Sequence, residues 1–265
     1  MTSERFKIME LILLICALSV SRCHNEQNVD LHACFIESTK VMKQNESTYP
    51  AELRGSLIHV IDTDSLTVYY PNFSRIDLVT GTMPDKLTDT SVVFCCEAAY
   101  TGECLTEFKH TNIAGDHVSS GERFRGYRCT RNTEAFVWYE NQWKFLWKEY
   151  SHELDSAAKH NGMGFGQEMM IHQGKLCETI RKDGNVNQFR ALCEVDGRLC
   201  VIDCKMQMAF GMFKKQLIAY GVKEALYLDM GPGWNHSWYR DEDGNAVDIF
   251  PYQHPYCTNW VVFYR

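Results

Sequence analysis

The sequence predicts an α/β protein with a mixed β-sheet, a βαβ unit near the C-terminus and flanking helices. An Asp-Gly pair at 196–197 separates two strand-like runs, which is typical of a β-hairpin. Apolar residues then recur at helical spacing over 210–220, and Gly221 follows in a position that favours a helix end. The apolar run 225–228 comes next. A strand, a helix and a strand in succession normally place the two strands in parallel.

The remaining elements follow from the same patterns. Runs rich in apolar and β-branched residues, bounded by turn residues, predict strands at 57–62, 66–70, 91–96, 133–139, 143–147, 167–172 and 258–264. Helical spacing predicts helices over 31–43 and 151–160. Segments rich in glycine, proline and polar residues predict loops at 75–87, 112–121 and 161–166.

The length of 265 residues allows one large domain or two small ones. A hydrophobic fraction of 45%, with 12% aromatic residues, is sufficient for a sizeable core. We expect a leader at 1–23, then N-terminal strands and a helix at 24–90 that pack on the main domain, and a main domain at 91–265.

The first 23 residues have the pattern of an export signal. Arg5 and Lys7 precede the apolar run 11–20, which fits a secretory leader and is short for a membrane span. Cys23 and the polar residues after it resemble the end of a bacterial lipoprotein leader, in which the cysteine becomes lipidated. The sequence therefore predicts an exported protein, periplasmic or at the cell surface, with membrane anchoring through a lipidated Cys23 as an option. A buried N-terminal helix is the alternative.

Charge and cysteine content restrict the function further. A net charge of −7 gives no support for binding nucleic acid, which favours basic surfaces. The twelve cysteines include no C-x-x-C pair, and Cys200 and Cys204 lie in a strand-like run, so a zinc site is weakly supported. Small buried thiols, with one or two disulfide bridges, are the favoured interpretation.

The main candidate for chemistry is Asp229, which closes the run 225–228 and precedes a glycine-rich turn. A carboxylate at the end of a buried strand is costly unless it is used or well paired. Asp203 ends the earlier strand, and parallel strands end at the same edge, so we expect these two side chains to be neighbours. Glu168 and Glu97, at a strand start and a strand end, are further carboxylate candidates.

Other polar and aromatic residues could complete a site. Asp116 and His117, in a predicted loop flanked by glycines, could supply a general acid or a phosphate contact, although a loop histidine more often faces solvent. A second group could bind a sugar through the turn backbone, aromatic stacking and hydrogen bonds. Its members are Gly231, Gly233, Trp234, Asn235, Trp238 and Arg240. A packed aromatic corner is the alternative for this group.

Four of these segments, in this order, resemble the phosphodiester glycosidase family. They are Phe189-Arg190-Ala191, Val201-Ile202-Asp203, the helix 210–221 and the strand 225–229. The resemblance extends from Ser91 to the C-terminus. Two segments depart from the family pattern: 230–235 replaces a Gly-Gly-Gly-Ser turn, and 95–100 replaces an Asn-Gly-Gly-Phe-Phe type segment. The chain therefore resembles a divergent branch.

The resemblance implies an exported hydrolase that cleaves a glycosidic bond in a sugar-1-phosphodiester or a related glycan. Asp229 and a second carboxylate, Glu168 or Asp203, would do acid/base work, with His117 as a further candidate, and Arg190 would hold the phosphate. A surface glycan-binding lipoprotein on the same fold, without chemistry, is the alternative, and a structural envelope protein is a weaker one. No cofactor is predicted with certainty, and the acidic candidates could give oxygen ligands to a divalent metal.

Overall fold

Most of the regular secondary structure in the described chain is β-strand. The computed structural model describes residues 42–43, 55–102, 107–131, 133–230, 236–250 and 257–265. Within them the strands are β1 (Met42–Lys43), β2 (Ile58–Asp62), β3 (Leu66–Pro71), β4 (Arg75–Thr80), β5 (Val92–Glu97), β6 (His117–Ser119), β7 (Glu122–Phe124), β8 (Glu134–Tyr139), β9 (Gln142–Leu146), β10 (Met163–Gln167), β11 (Met169–His172), β12 (Lys175–Leu176), β13 (Val186–Asn187), β14 (Arg190–Val195), β15 (Arg198–Cys204), β16 (Met208–Ala209), β17 (Glu224–Leu228), β18 (Ser237–Arg240), β19 (Ala246–Phe250) and β20 (Asn259–Tyr264). The α-helices are α1 (Ser151–Lys159) and α2 (Phe210–Tyr220). None of the helices in these ranges is long and apolar enough to cross a membrane.

The largest sheet has seven strands in the order β12-β11-β17-β14-β15-β3-β2, and all neighbours pair antiparallel. The predicted Asp-Gly hairpin is confirmed as β14 and β15, which pair from Arg190 opposite Asp203 to Val195 opposite Arg198. Strand β17 alternates between two buried faces. Leu226 and Leu228 enter one core, and Ala225 and Tyr227 enter another. Burial on both faces explains its continuous apolar run.

The predicted parallel pair is wrong in one respect. Strands β15 and β17 are not neighbours, because β14 lies between them and pairs antiparallel with both. A tight hairpin turn holds β14 against β15 at little cost in loop entropy, so the longer helical connection carries β17 to the far side of β14. The two outer strands still run in the same direction. Their carboxyl ends therefore share one sheet edge, as predicted.

A two-stranded sheet pairs β13 with β16, and two further large sheets complete the β-structure of the described residues. One has six strands in the order β1-β9-β8-β10-β6-β7, and the other has five in the order β19-β18-β5-β20-β4. One apolar core joins the three large sheets. Leu226 belongs to it from the seven-stranded sheet, Phe136 from the six-stranded sheet and Phe263 from the five-stranded sheet. The main fold is thus mostly β, with helices outside the sheets, and the expected α/β class holds only loosely.

The helices cover outer sheet faces. Helix α1 packs Leu154 and Ala157 against the six-stranded sheet, and α2 packs Phe213 and Leu217 against the seven-stranded sheet. Helix α2 has the predicted bounds and ends at Gly221, whose φ of 102° is left-handed and therefore suits glycine.

Several segments differ from the sequence-based expectation. Residues 75–80, 117–119 and 163–166 were expected in loops and form strands, because they pair with strands that are distant in the sequence. Of the helix expected at 31–43, Met42 and Lys43 are a strand, and the rest lies outside the described residues. Strands β2 and β3 extend the seven-stranded sheet, and β4 closes an edge of the five-stranded one.

Candidate active site

Two carboxylate-bearing strand ends meet where the seven- and five-stranded sheets approach each other. Glu97 is the last residue of β5, and Asp229 directly follows β17. The segment after β5 connects the two sheets. Its Ala98 carbonyl accepts a hydrogen bond from the Asp229 N–H at 2.9 Å, and the Ala99 N–H donates to Asn259 Oδ1 at 2.8 Å. These bonds fix both strand ends to the same short piece of backbone.

Thr101 links the two carboxyl groups. Its hydroxyl donates to Glu97 Oε1 at 3.3 Å, and its backbone N–H donates to Asp229 Oδ2 at 3.4 Å. The thiol of Cys257 donates to the other Glu97 oxygen, Oε2, at 2.8 Å. Glu97 is 2% exposed, whereas Asp229 is half-buried. The pair therefore has one enclosed carboxyl group and one that is partly open.

Burial, followed by the charge of Asp229, raises the pKa of Glu97 well above its usual value, and the bonds from Cys257 and Thr101 offset this only in part. Burial therefore favours the protonated form of Glu97. A protonated carboxyl beside a second carboxyl group is the arrangement that supplies a general acid and an opposing base or nucleophile.

Three tyrosines and an arginine surround Asp229. The charge of Asp229 contributes, after burial, to the raised pKa values of Tyr227 and Tyr100, and it contributes to the rise of the Tyr127 pKa to about 12. The rings of Tyr100 and Tyr227 lie 5.6 Å apart, and the Arg181 guanidinium carbon lies 4.8 Å from the centre of the Tyr227 ring. These groups form one polar and aromatic wall beside Asp229.

Glu168 supports this wall and is 2% exposed. One of its oxygens accepts the backbone N–H of Arg181 at 3.1 Å, and the other accepts the Tyr100 hydroxyl at 3.4 Å. Both oxygens of Glu168 thus have protein donors, and Glu168 orients Tyr100 and Arg181. Among the residues described, Glu168 does not bond to the Glu97–Asp229 pair directly; Tyr100 interacts with both Glu168 and Asp229.

Arg190 and Asp203 form a closed ion pair across the hairpin. The guanidinium Nε and Nη2 each donate to a different Asp203 oxygen at 2.6 Å, and Arg190 is 0% exposed. Burial alone would lower the pKa of Arg190, but Asp203 more than offsets it and raises the pKa. Asp203 already neutralises this guanidinium, so the placement argues against the predicted phosphate contact by Arg190 and against acid/base work by Asp203.

Two predicted residues lie in a different sheet from Asp229. His117 is in β6, where its Nε2 lies 3.0 Å from His110 Nδ1 and its ring stacks on Phe124. Burial lowers the pKa of His117 to about 4, so the ring is neutral near pH 7. Asp116 accepts a 3.0 Å bond from Arg123 at the surface. These contacts are with the β6–β7 hairpin and with His110, just before it in the chain.

The five-stranded sheet contains two more predicted residues, and protein contacts occupy both. Trp238 is fully buried in an apolar cluster with Trp260, so its indole has no face for a sugar. Arg240 donates to the carbonyl oxygens of Gly244, Lys86 and Asp89 at 2.8–3.2 Å. Trp238 therefore stabilises the five-stranded sheet, and Arg240 connects this sheet to the loop that contains Lys86 and Asp89.

The remaining predicted residues are Gly231, Gly233, Trp234 and Asn235, which lie outside the described residues. Within the described ranges, no group of three or more His, Cys, Asp or Glu side chains is arranged to hold a metal ion. Seven cysteines in those ranges are free thiols, and five of them are buried.

Sequence reasoning missed Arg181, Tyr227 and Thr101. Arg181 lies in a polar segment without a strand or helix pattern, so no sequence signal could have selected it. Tyr227 belongs to an apolar run and looks like a core residue, which in part it is. Thr101 follows directly on the strand-end segment at Glu97 and could have been included with it.

No family model matches the sequence, and no curated protein matches it. Among solved structures, the catalytic domain of zebrafish N-acetylglucosamine-1-phosphodiester alpha-N-acetylglucosaminidase, auto-inhibited by its pro-peptide, is similar over 85% of this chain and 88% of that chain, with a TM-score of 0.56 and 11% identity. A hypothetical protein from Synechocystis is similar over 78% of this chain and 61% of that chain, with a TM-score of 0.47 and 12% identity. The first likeness shows a shared fold at a distant structural relationship.

Proposed function

We propose that the protein is a hydrolase that cleaves the glycosidic bond of a sugar-1-phosphodiester or a related glycan. The observation that carries this proposal is the Glu97–Asp229 pair, which Thr101 links and in which burial raises the pKa of Glu97. The shared fold with a phosphodiester glycosidase gives independent support for the substrate class. This support comes from the shared fold and not from sequence identity, which is 11%.

In this proposal Glu97 and Asp229 have different catalytic roles. The bond between the anomeric carbon and the bridging oxygen breaks, Glu97 gives its proton to that oxygen, and Asp229 supplies the negative charge on the sugar side. Water provides the hydroxyl group that ends on the sugar, and its proton restores Glu97. A phosphate monoester is a stable anion, so it needs less protonation on leaving than an alcohol does.

The direct test replaces Asp229 with Asn and measures the release of free sugar from a panel of sugar-1-phosphodiesters. We expect Asp229→Asn to lower kcat/KM by at least about 10³-fold, because a catalytic carboxylate commonly contributes 10²–10⁴-fold or more. Asp196→Asn is the matched control, because Asp196 is exposed in the turn at the opposite end of β14. Full activity of Asp229→Asn contradicts the proposal.

The same panel separates an enzyme from a binding module. Wild-type protein that binds glycans in calorimetry but hydrolyses none of them would favour the glycan-binding alternative. Export, with anchoring through Cys23, belongs to the proposal, and residues 1–23 lie outside the described residues. N-terminal sequencing and fatty-acid labelling of the protein from producing cells would test it.

A further inference from the structure

The site described above has no assigned contact for the charge of a phosphate. Arg190, the predicted contact, is neutralised by Asp203 and is wholly enclosed. A phosphodiester carries a negative charge, and Asp229 adds another, so a productive complex requires a cation nearby. Two other arginines contact the tyrosines of the site, Arg181 and Arg131.

Arg181 is held in a position that suits this role. Its guanidinium carbon lies 4.8 Å from the Tyr227 ring centre, 5.6 Å from that of Phe210 and 5.7 Å from that of Phe189. Its backbone N–H is fixed by Glu168 at 3.1 Å. Planar guanidinium groups stack on aromatic rings and still present their N–H groups at the edge. Three aromatic rings thus surround the guanidinium group.

The donors of Arg181 are not used up by protein acceptors. In the described part of the chain, the buried Nε has no hydrogen-bond partner, and no carboxylate oxygen is in ion-pair contact with the guanidinium. A buried donor without an acceptor costs free energy, so such a group is expected to have a ligand or water as its partner. Within the same ranges Arg190 also has one buried nitrogen without a partner, Nη1, but its other two guanidinium nitrogens are bound to Asp203, which neutralises its charge.

Arg181 also shares two neighbours with Asp229. Tyr100 and Tyr227 are both close enough to Arg181 and to Asp229 to interact electrostatically with each of them. The Tyr227 hydroxyl accepts the backbone N–H of Met230 at 3.4 Å, directly after Asp229. A ligand that spans the aromatic wall therefore reaches from the Arg181 guanidinium to the Asp229 carboxyl group.

We propose that Arg181 binds the phosphate of the substrate, in the role that the sequence predicts for Arg190. This inference rests on the proposed function for the identity of the anion. Phosphate binding by Arg181 can also be tested if the protein hydrolyses none of the substrates. Arg131 is the competing cation: its guanidinium carbon lies 5.8 Å from the Tyr100 ring centre, but Arg131 is exposed.

The first experiment measures binding alone. Calorimetric titration with inorganic phosphate and with hexose 1-phosphates compares wild type with Arg181→Gln, Arg181→Lys and Arg131→Gln. Arg128→Gln is a control that makes the same change of charge at an exposed position. We expect Arg181→Gln to weaken phosphate binding at least about 10-fold, because a charge-assisted hydrogen bond is lost. Arg181→Lys should retain part of the affinity, and the other two variants should stay within about 2-fold.

The second experiment measures selectivity. On a sugar-1-phosphodiester, Arg181→Gln should lower kcat/KM about 10- to 100-fold, and on a neutral aryl glycoside of the same sugar the loss should stay below about 3-fold. Equal losses on both substrates would assign Arg181 a structural role instead.

The outcomes separate this inference from the proposed function. Wild type that binds phosphate but hydrolyses nothing breaks the proposed function, and the effect of Arg181→Gln on binding still decides the inference. Unchanged phosphate binding in Arg181→Gln, a loss found in Arg131→Gln instead, or no phosphate binding by wild type overturns the inference.

Discussion

Two aspartates at the same sheet edge have opposite surroundings. Asp203 ends β15 and Asp229 follows β17, and β14 separates the two strands. Asp203 is 3% exposed, and both of its oxygens accept bonds from Arg190. Asp229 is half-buried and has Glu97 beside it, a carboxyl group whose pKa is raised by burial. The first pair is electrically closed, whereas the second is open in the sense that Asp229 is partly exposed.

The difference shows how one edge can provide both stability and chemistry. A buried carboxylate is tolerated when a fork-shaped donor neutralises it, and this makes Arg190–Asp203 a structural element. A buried carboxyl that keeps its proton is a cost to the fold, and such costs concentrate at functional sites. The two pairs should therefore respond in opposite ways to neutral substitutions.

The largest effect is expected at the closed pair. Arg190→Met leaves Asp203 buried without its partner, and the free energy of unfolding should fall by about 3–5 kcal/mol in urea denaturation. The double variant Arg190→Met/Asp203→Leu removes both charges and should recover most of this loss. A single variant that loses less than about 1 kcal/mol would show that the pair is not closed.

The next effect concerns activity at the open pair. Glu97→Gln has the same shape but no proton to give, and kcat/KM on a phosphodiester substrate should fall about 10²-fold, equivalent to about 2.7 kcal/mol. Glu122→Gln, at an exposed position in β7, is the matched control and should retain wild-type activity. Wild-type activity in Glu97→Gln would transfer the acid role to another group.

The sequence predicted that Arg190 and Asp203 lie near one sheet edge, but it did not predict that they form a closed ion pair. The hairpin, α2 and the strand before Asp229 have local signals, namely the turn residues, the helical spacing and Gly221, and all three elements were predicted. These elements place Arg190, Asp203 and Asp229 at one edge. The bidentate contact depends on side-chain register across β14 and β15, which follows only when the hairpin is built.

The open pair was less accessible from the sequence. Glu97 and Asp229 lie on strands of different sheets, and their proximity depends on a long-range contact between Ala98 and the Asp229 N–H. Arg181 lies in a segment whose position is set by Glu168 and the aromatic residues around it, and no local pattern encodes such a contact. Contacts between distant segments without a periodic pattern are what sequence reading cannot supply.

The third effect is the pH dependence of stability at the open pair. Because the pKa of Glu97 is raised in the folded state, the unfolded chain releases this proton first as the pH rises above 4.5. The wild type should therefore lose stability relative to Glu97→Gln as the pH rises from 4.5 toward neutrality. At pH 7 the variant should be more stable by about 0.5–2 kcal/mol, as is common when a functional group that costs stability is removed.

A denaturation series from pH 4 to pH 8 on both proteins would measure this difference. His117 acts in the opposite direction. Its lowered pKa makes stability fall as the pH drops from 6.5 to about 4, but this contribution is common to both proteins and cancels in the comparison. A difference between wild type and Glu97→Gln that does not change with pH would contradict a protonated Glu97.

The smallest effect tests how the open pair is tuned. The Cys257 thiol donates to Glu97 Oε2 at 2.8 Å, and this bond lowers the pKa of Glu97 against the larger effects of burial and Asp229. Cys257→Ala should move the pKa of Glu97 further up, so the alkaline limb of the kcat/KM profile shifts to higher pH. The loss of stability should be about 1 kcal/mol or less. Cys177→Ala is the control, and an alkaline limb that stays in place in Cys257→Ala, or moves equally in both variants, would assign that limb to a group other than Glu97.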